Sequence, residues 1–184
     1  MIIKDPITIT TSDDQVTFSG SGSTINSEAS EANALTLSVG TSEVEFNGAV
    51  GGGTNGSLGA ISITGALDLN AAITSASSLS VSLTSDLGAN VTTSGTQTYT
   101  GPITLSTRSI TLASSNQNIT FSGSTTTING AQALTINAGS ATIVFGGVVG
   151  GSTAISSLSL QGTGANTLPS AITATGAIDL KGTS

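Results

Sequence analysis

Glu43 and Glu45 flank Val44, so in an extended strand both carboxyls leave one face, opposite Phe46. Two carboxyls about 5 Å apart are the working pair of a retaining glycosidase. An exposed strand offers no cleft and no dry pocket to set their pKa values apart, so the pair reads as a solvated face. Ser12-Asp13-Asp14 has the composition of a turn. Neither acidic group has the spacing of a calcium loop, and the calcium-binding nonapeptide is missing. Arg108 is the only cation between Lys4 and Lys181, with no acid within twenty residues on either side. Without His or Cys, the Ser-His and Cys-His nucleophiles have no base or thiol to work with. The expectation is a protein that is not an enzyme, with no catalytic, cofactor-binding or metal-binding residue and no cofactor.

Hydroxyls are the other recurring chemistry. Thr8, Thr36, Ser62, Ser80, Thr111, Thr135 and Ser159 occupy the middle of successive apolar-x-apolar triplets. A neighbouring column runs Thr10, Ser38, Thr64, Ser82 and then fails at Ala113, Asn137, Gln161 and Lys181. Paired hydroxyl columns on a flat sheet are the pattern of an ice-binding face. Ser and Thr are also ordinary residues of exposed strands. The sequons at Asn55, Asn90 and Asn118 are no more than a Ser/Thr-rich chain produces by chance.

What must position these residues is a strand repeat. Only 7% of the chain is charged, against about 25% in a typical soluble domain, while 36% is hydrophobic. Disorder goes with high charge and low hydrophobicity, so the low complexity here has another cause. Apolar residues recur every second place, as they do in strands, and no segment keeps the spacing of an amphipathic helix. The net charge of −7 leaves little for nucleic acid or anionic lipid to bind. The start "MIIKDPITIT" lacks a signal peptide's apolar region and cleavage site, and no run approaches the roughly 18 apolar residues of a membrane-spanning helix.

The chain is self-similar at long range. "ITITTSDDQVTFSGS" from Ile7 matches "ITLASSNQNITFSGS" from Ile110 at an offset of 103. "VEFNGAVGG" from Val44 matches "IVFGGVVGG" from Ile143 at an offset of 99, as "AAITSASSLSV" from Ala71 matches "SAITATGAIDL" from Ser170. Residues 1–184 therefore form one solenoid segment, with a first copy over about 7–109 and a truncated second copy over about 110–184. It reads as a piece of something longer.

Within each copy, apolar triplets are followed by a bulky anchor: Phe18, Phe46, Leu69, Tyr99, Phe121, Phe145 and Leu168. The geometry that keeps one residue class in phase is a parallel β-helix with three short strands per turn, its turns stacked about 4.8 Å apart. About eight turns of about 22–30 residues are expected, with the seven anchors in a single core ladder. A sandwich or antiparallel barrel also has short alternating strands, but its hairpins would not keep this phase. Residues 27–33 and 84–95 lengthen two turns and are expected to loop outside the coil.

"GTQTYTGPITL", "NITFSGSTTTINGAQALTINAGSATIVFGGVVGG" and "SLSLQGTGA" resemble the repeats of filamentous-haemagglutinin-like adhesins, exported by two-partner secretion, and of the related giant β-strand-repeat surface proteins. The resemblance covers essentially the whole chain. It implies a right-handed all-β parallel solenoid, serving as a rigid structural stalk of a large bacterial secreted or cell-surface adhesin. The family's amino-terminal secretion domain has no counterpart here. The absence of cysteine suits an exported bacterial protein. The expected partners are neighbouring repeats of a parent chain, with end-to-end self-association at high concentration, no nucleic acid and no membrane insertion. The rival readings are a carbohydrate-binding or carbohydrate-cleaving β-helix of the phage tail-spike kind, and an ice-binding solenoid.

Overall fold

A computed structural model describes residues 1–22, 24–52 and 56–182. Among them there is no helix, and every strand pairing is parallel. The alternation of apolar and hydroxyl residues produces this directly. Most strands turn Leu, Ile, Val or Phe inward and mainly Ser or Thr outward, as in Leu35–Phe46, where Leu35, Leu37, Val39, Val44 and Phe46 are fully buried. Each layer of chain lies on the one before it, and the large curled sheet that results is solenoid-like.

The pairings fall into three rows. The first row stacks Ile7–Thr10 on Leu35–Ser38, then Ile61, Leu79, Gln97, Ile119 and Ile143 with their neighbours. The second begins at Val16–Phe18 and continues through Val44, Leu67, Ser85, Ile103 and Ile128 to Val149 and Ile172. The third runs from Ile25 through Val50, Ile73, Val91, Leu112, Ile136 and Leu160 to Leu180.

The bulky anchors form two columns, and the single ladder expected from the sequence is corrected accordingly. Phe18, Phe46 and Leu69 belong to the second row and continue into Leu87 and Leu105. Tyr99, Phe121 and Phe145 belong to the first row, above Ile9, Leu37, Ile63 and Val81. The rings stack within each column, with centroids 5.1 Å apart for Phe18 and Phe46, 5.6 Å for Tyr99 and Phe121, and 5.0 Å for Phe121 and Phe145. Leu168 follows Thr167, which bridges to Val144 beside Phe145. It is 46% exposed because no layer covers it.

The split arises where the layers shorten. Tyr99 pairs with Val81, 18 residues earlier, whereas Leu37 pairs with Ile9 across 28. Residues 84–95, expected to loop out, instead supply the strands Ser85–Leu87 and Val91–Thr93, with Ser85, Leu87, Ala89, Val91 and Thr93 buried. The other expected excursion does leave the coil over residues 28–32, which are exposed. Its first residue, Ser27, is buried in a pairing with Ile3.

One consequence is that the two sequence copies occupy different rows. Ile7 lies in the first row and its counterpart Ile110 in the third; Phe18 lies in the second and Phe121 in the first; Val50 lies in the third and Val149 in the second. Every counterpart is displaced by one row in the same sense, so a copy spans a non-integral number of layers. Local geometry is nonetheless repeated. Asp13 and Asn116 both adopt positive φ (70° and 57°), and each side chain accepts a hydrogen bond from the amide after a left-handed glycine in the next layer. Those amides belong to Thr41, after Gly40, and Ser140, after Gly139. A Cβ on either glycine would strike the accepting oxygen, at 2.4 and 2.3 Å.

The Thr41 amide and hydroxyl hold the Asp13 carboxyl below its ordinary pKa. A depressed folded-state value gives stability that is present above the unfolded value and is lost as pH falls through the folded one. Asp13→Asn, which installs the acceptor that the second copy already uses, should therefore keep neutral-pH stability and reduce acid sensitivity. Asp13→Ala should lower stability at neutral pH. Thermal melts of the three proteins between pH 7 and pH 2 check both expectations.

Candidate functional site

The outward positions of the second row bring together acids that lie far apart in sequence. Glu45 pairs with Asp68, and Asp68 with Asp86, giving three carboxylates on successive layers. Glu43 is one pleat away, opposite Ala66. Gln15 Nε2 donates to Glu43 Oε1 at 2.9 Å and to Glu45 Oε2 at 3.4 Å, and Thr17 Oγ1 donates to Glu45 Oε2 at 3.1 Å. Partial burial raises the Asp68 pKa, the Asn70 side chain opposes this, and the charges of Asp86 and Glu45 add to it. Asp86 Oδ1 is enclosed without a hydrogen-bond partner. Glu43 also borders a shallow polar groove with Gln15, Thr41, Ser42, Ala66 and Thr84.

Asp68 and Asp86 were not among the sequence candidates. Their signal is the shared triplet form of "VEF", "LDL" and "SDL", an acid between two inward residues. Among the described residues, no group of three or more acids is placed to hold a metal ion. The arrangement is an acidic stripe along the outward positions of the second row. Arg108 is exposed on a bend, and Ser12 to Asp14 form the turn that clips Thr41.

The hydroxyl column is also redistributed. Thr8, Thr36, Ser62 and Ser80 continue in register to Thr98 and Thr120, and the row stops at Val144. Thr111, Thr135 and Ser159 form a separate column in the third row, ending at Asp179. Beside the first-row hydroxyls lie Thr10, Ser38 and Thr64, in register with one another, and then Ser82, Thr100 and Ser122. Six successive layers thus present a paired hydroxyl motif on one face, two more than the sequence suggested.

Of the sequon residues, Asn90 and Asn118 cap amides of the next layer, those of Thr111 and Thr142, at 2.8 and 3.1 Å. Asn55 lies outside the described residues.

Among the described residues, a polar network crosses the interior at Gln97. Gln97 is fully buried at a first-row position where its neighbours above and below are Ile119 and Leu79. Its Nε2 donates to the Ala113 carbonyl at 2.8 Å, to Thr93 Oγ1 at 3.2 Å and to the Val91 carbonyl at 3.4 Å. The Tyr99 hydroxyl donates to Gln97 Oε1 at 3.1 Å, and complete burial raises the phenol pKa far above its ordinary value. The network joins the first row to the third across the core.

No protein-family model, curated protein or solved structure matches the chain. Fold and surface together define a class: an all-β protein of parallel, solenoid-like architecture, with apolar rows inside and Ser/Thr rows outside.

Proposed function

We propose that this chain is a structural repeat segment, a rigid stalk within a large bacterial secreted or cell-surface adhesin. It winds as a right-handed parallel β-helix of about eight turns, and its partners are neighbouring repeats. The carrying observation is the continuity of the three inward rows, which bury one apolar cluster from Ile3 to Leu160. The recurrence of one local clip in both sequence copies supports a unit built to be repeated. Antibody labelling of intact cells of the source organism tests the assignment. Surface signal that is lost after mild external proteolysis is expected, and signal only after lysis would overturn it.

The six-layer paired hydroxyl face supports a second reading, ice binding. Strand spacing of about 4.8 Å and alternate-residue spacing of about 6.6 Å make it a regular two-dimensional array. Purified protein would then show thermal hysteresis that Thr98→Tyr abolishes. Freezing behaviour indistinguishable from that of an inert protein removes this reading. A carbohydrate site built on stacking aromatics is not favoured, because Phe46, Tyr99, Phe121 and Phe145 are buried and the half-buried Phe18 is stacked on Phe46.

A further inference from the structure

The two ends of the winding differ. At the amino end, Ile2–Ile3 pairs with Asn26–Ser27, and the Met1 amino group donates to the Thr24 carbonyl, so part of the third row is covered. At the other end Leu168, Ile178 and Leu180 are 46%, 45% and 42% exposed, although each stands at an inward position.

The first sequence copy shows what such a surface accepts. At the offset of 99, the counterparts of Leu168, Ile172, Ile178 and Leu180 are Leu69, Ile73, Leu79 and Val81. All four counterparts are buried. Leu87 covers Leu69, Val91 covers Ile73, and Gln97 and Tyr99 cover Leu79 and Val81. The backbone is satisfied in the same way, for the Leu79 amide donates to the Thr96 carbonyl of that covering layer.

We propose that the carboxyl-end edge of the winding is a strand-docking surface whose occupant is a chain segment with the sequence character of residues 85–109. That segment adds in parallel, continuing the layer-on-layer interface already formed throughout the chain. It places an apolar residue over Leu168, a β-branched residue over Ile172, and a Gln-x-Tyr strand over Ile178 and Leu180. The inference deepens the repeat-segment reading and rests on it, naming the chemistry of the neighbouring repeat. Because the amino edge of a second molecule carries Ile7, Ile9, Val16 and Phe18 instead, direct stacking of two chains is the less specific contact.

Because Ser184 already stands in the place of Ser85 at the offset of 99, the test extends the full chain after residue 184 with a second copy of its own residues 86–109, beside a control carrying that segment shuffled. Hydrogen exchange at the Ile178 amide should slow on the order of tenfold with the native-order extension and not with the shuffled one. Free peptide of residues 85–109, native or shuffled, added to the unextended chain repeats the comparison without requiring an extended variant to fold. Equal exchange at Ile178 with native and shuffled sequences, in either format, overturns the proposal. Cell-surface labelling is independent of this result, so a chain absent from the surface can still pass, and a surface protein can still fail.

Discussion

Phe121→Ala lowers the stability of the fold by about 3 to 5 kcal/mol, read as a shift in the midpoint of urea unfolding. The ring is fully buried and stacked on both sides, against Tyr99 at 5.6 Å and Phe145 at 5.0 Å. Removing it opens a cavity that the layers above and below cannot close, because their backbones are fixed by parallel hydrogen bonds. Phe121→Leu retains most of the volume and should recover more than half of the loss. Glu45→Ala is the control. Its carboxylate meets Thr17 and Gln15 at the surface, and its loss should stay within about 0.5 kcal/mol. An unchanged midpoint for Phe121→Ala with a collapsed Glu45→Ala would invert the assignment of inner and outer faces.

Gln97→Ala is expected to cost on the order of 3 kcal/mol. Stranding the buried Tyr99 hydroxyl accounts for about 1 to 3 kcal/mol, and the vacated volume for the rest. The coupling to Tyr99 makes this more than a large-to-small effect. In the native chain, Tyr99→Phe strands Gln97 Oε1 and should destabilise. In a Gln97→Leu background the same change removes an already stranded hydroxyl and should be neutral or stabilising. A double-mutant cycle in which the two substitutions simply add would place the Tyr99 hydroxyl outside this network.

This network also explains how far the sequence could be read. Parallel stacking was legible because inward residues over most of the chain are apolar and outward residues carry hydroxyls, which fixes the strand phase at Ile7, Leu35, Ile61, Ile110 and Leu134. Between Val81 and Ile110 the rule is relaxed. Ser85, Thr93 and Gln97 stand at inward positions, and all three are buried. A reading by alternation passes over "SDL", "VTT" and "QTY" as polar chain, turning two layers into one long one with a loop. Tyr99 then falls into line with Phe46 and Phe121 by count alone, and the two columns merge. The acidic stripe was hidden for a related reason, since Glu45, Asp68 and Asp86 meet only once the layer lengths of 23 and 18 residues are known. Leu168, expected in the buried ladder, is instead exposed beside an isolated bridge between Thr167 and Val144.

The register through these short layers is the central claim, and disulfide trapping tests it most directly. The native chain has no cysteine, so any cross-link reports the introduced pair alone. Ser80 and Thr98 are parallel partners, which places their Cα atoms about 5 Å apart, within disulfide range. Ser80 and Thr111 lie in different rows. Under mild oxidation the S80C/T98C protein should cross-link quantitatively and melt higher than its reduced form, while S80C/T111C stays reduced. A disulfide between positions 80 and 111, with none between 80 and 98, would contradict the register and return the aromatic residues to a single column.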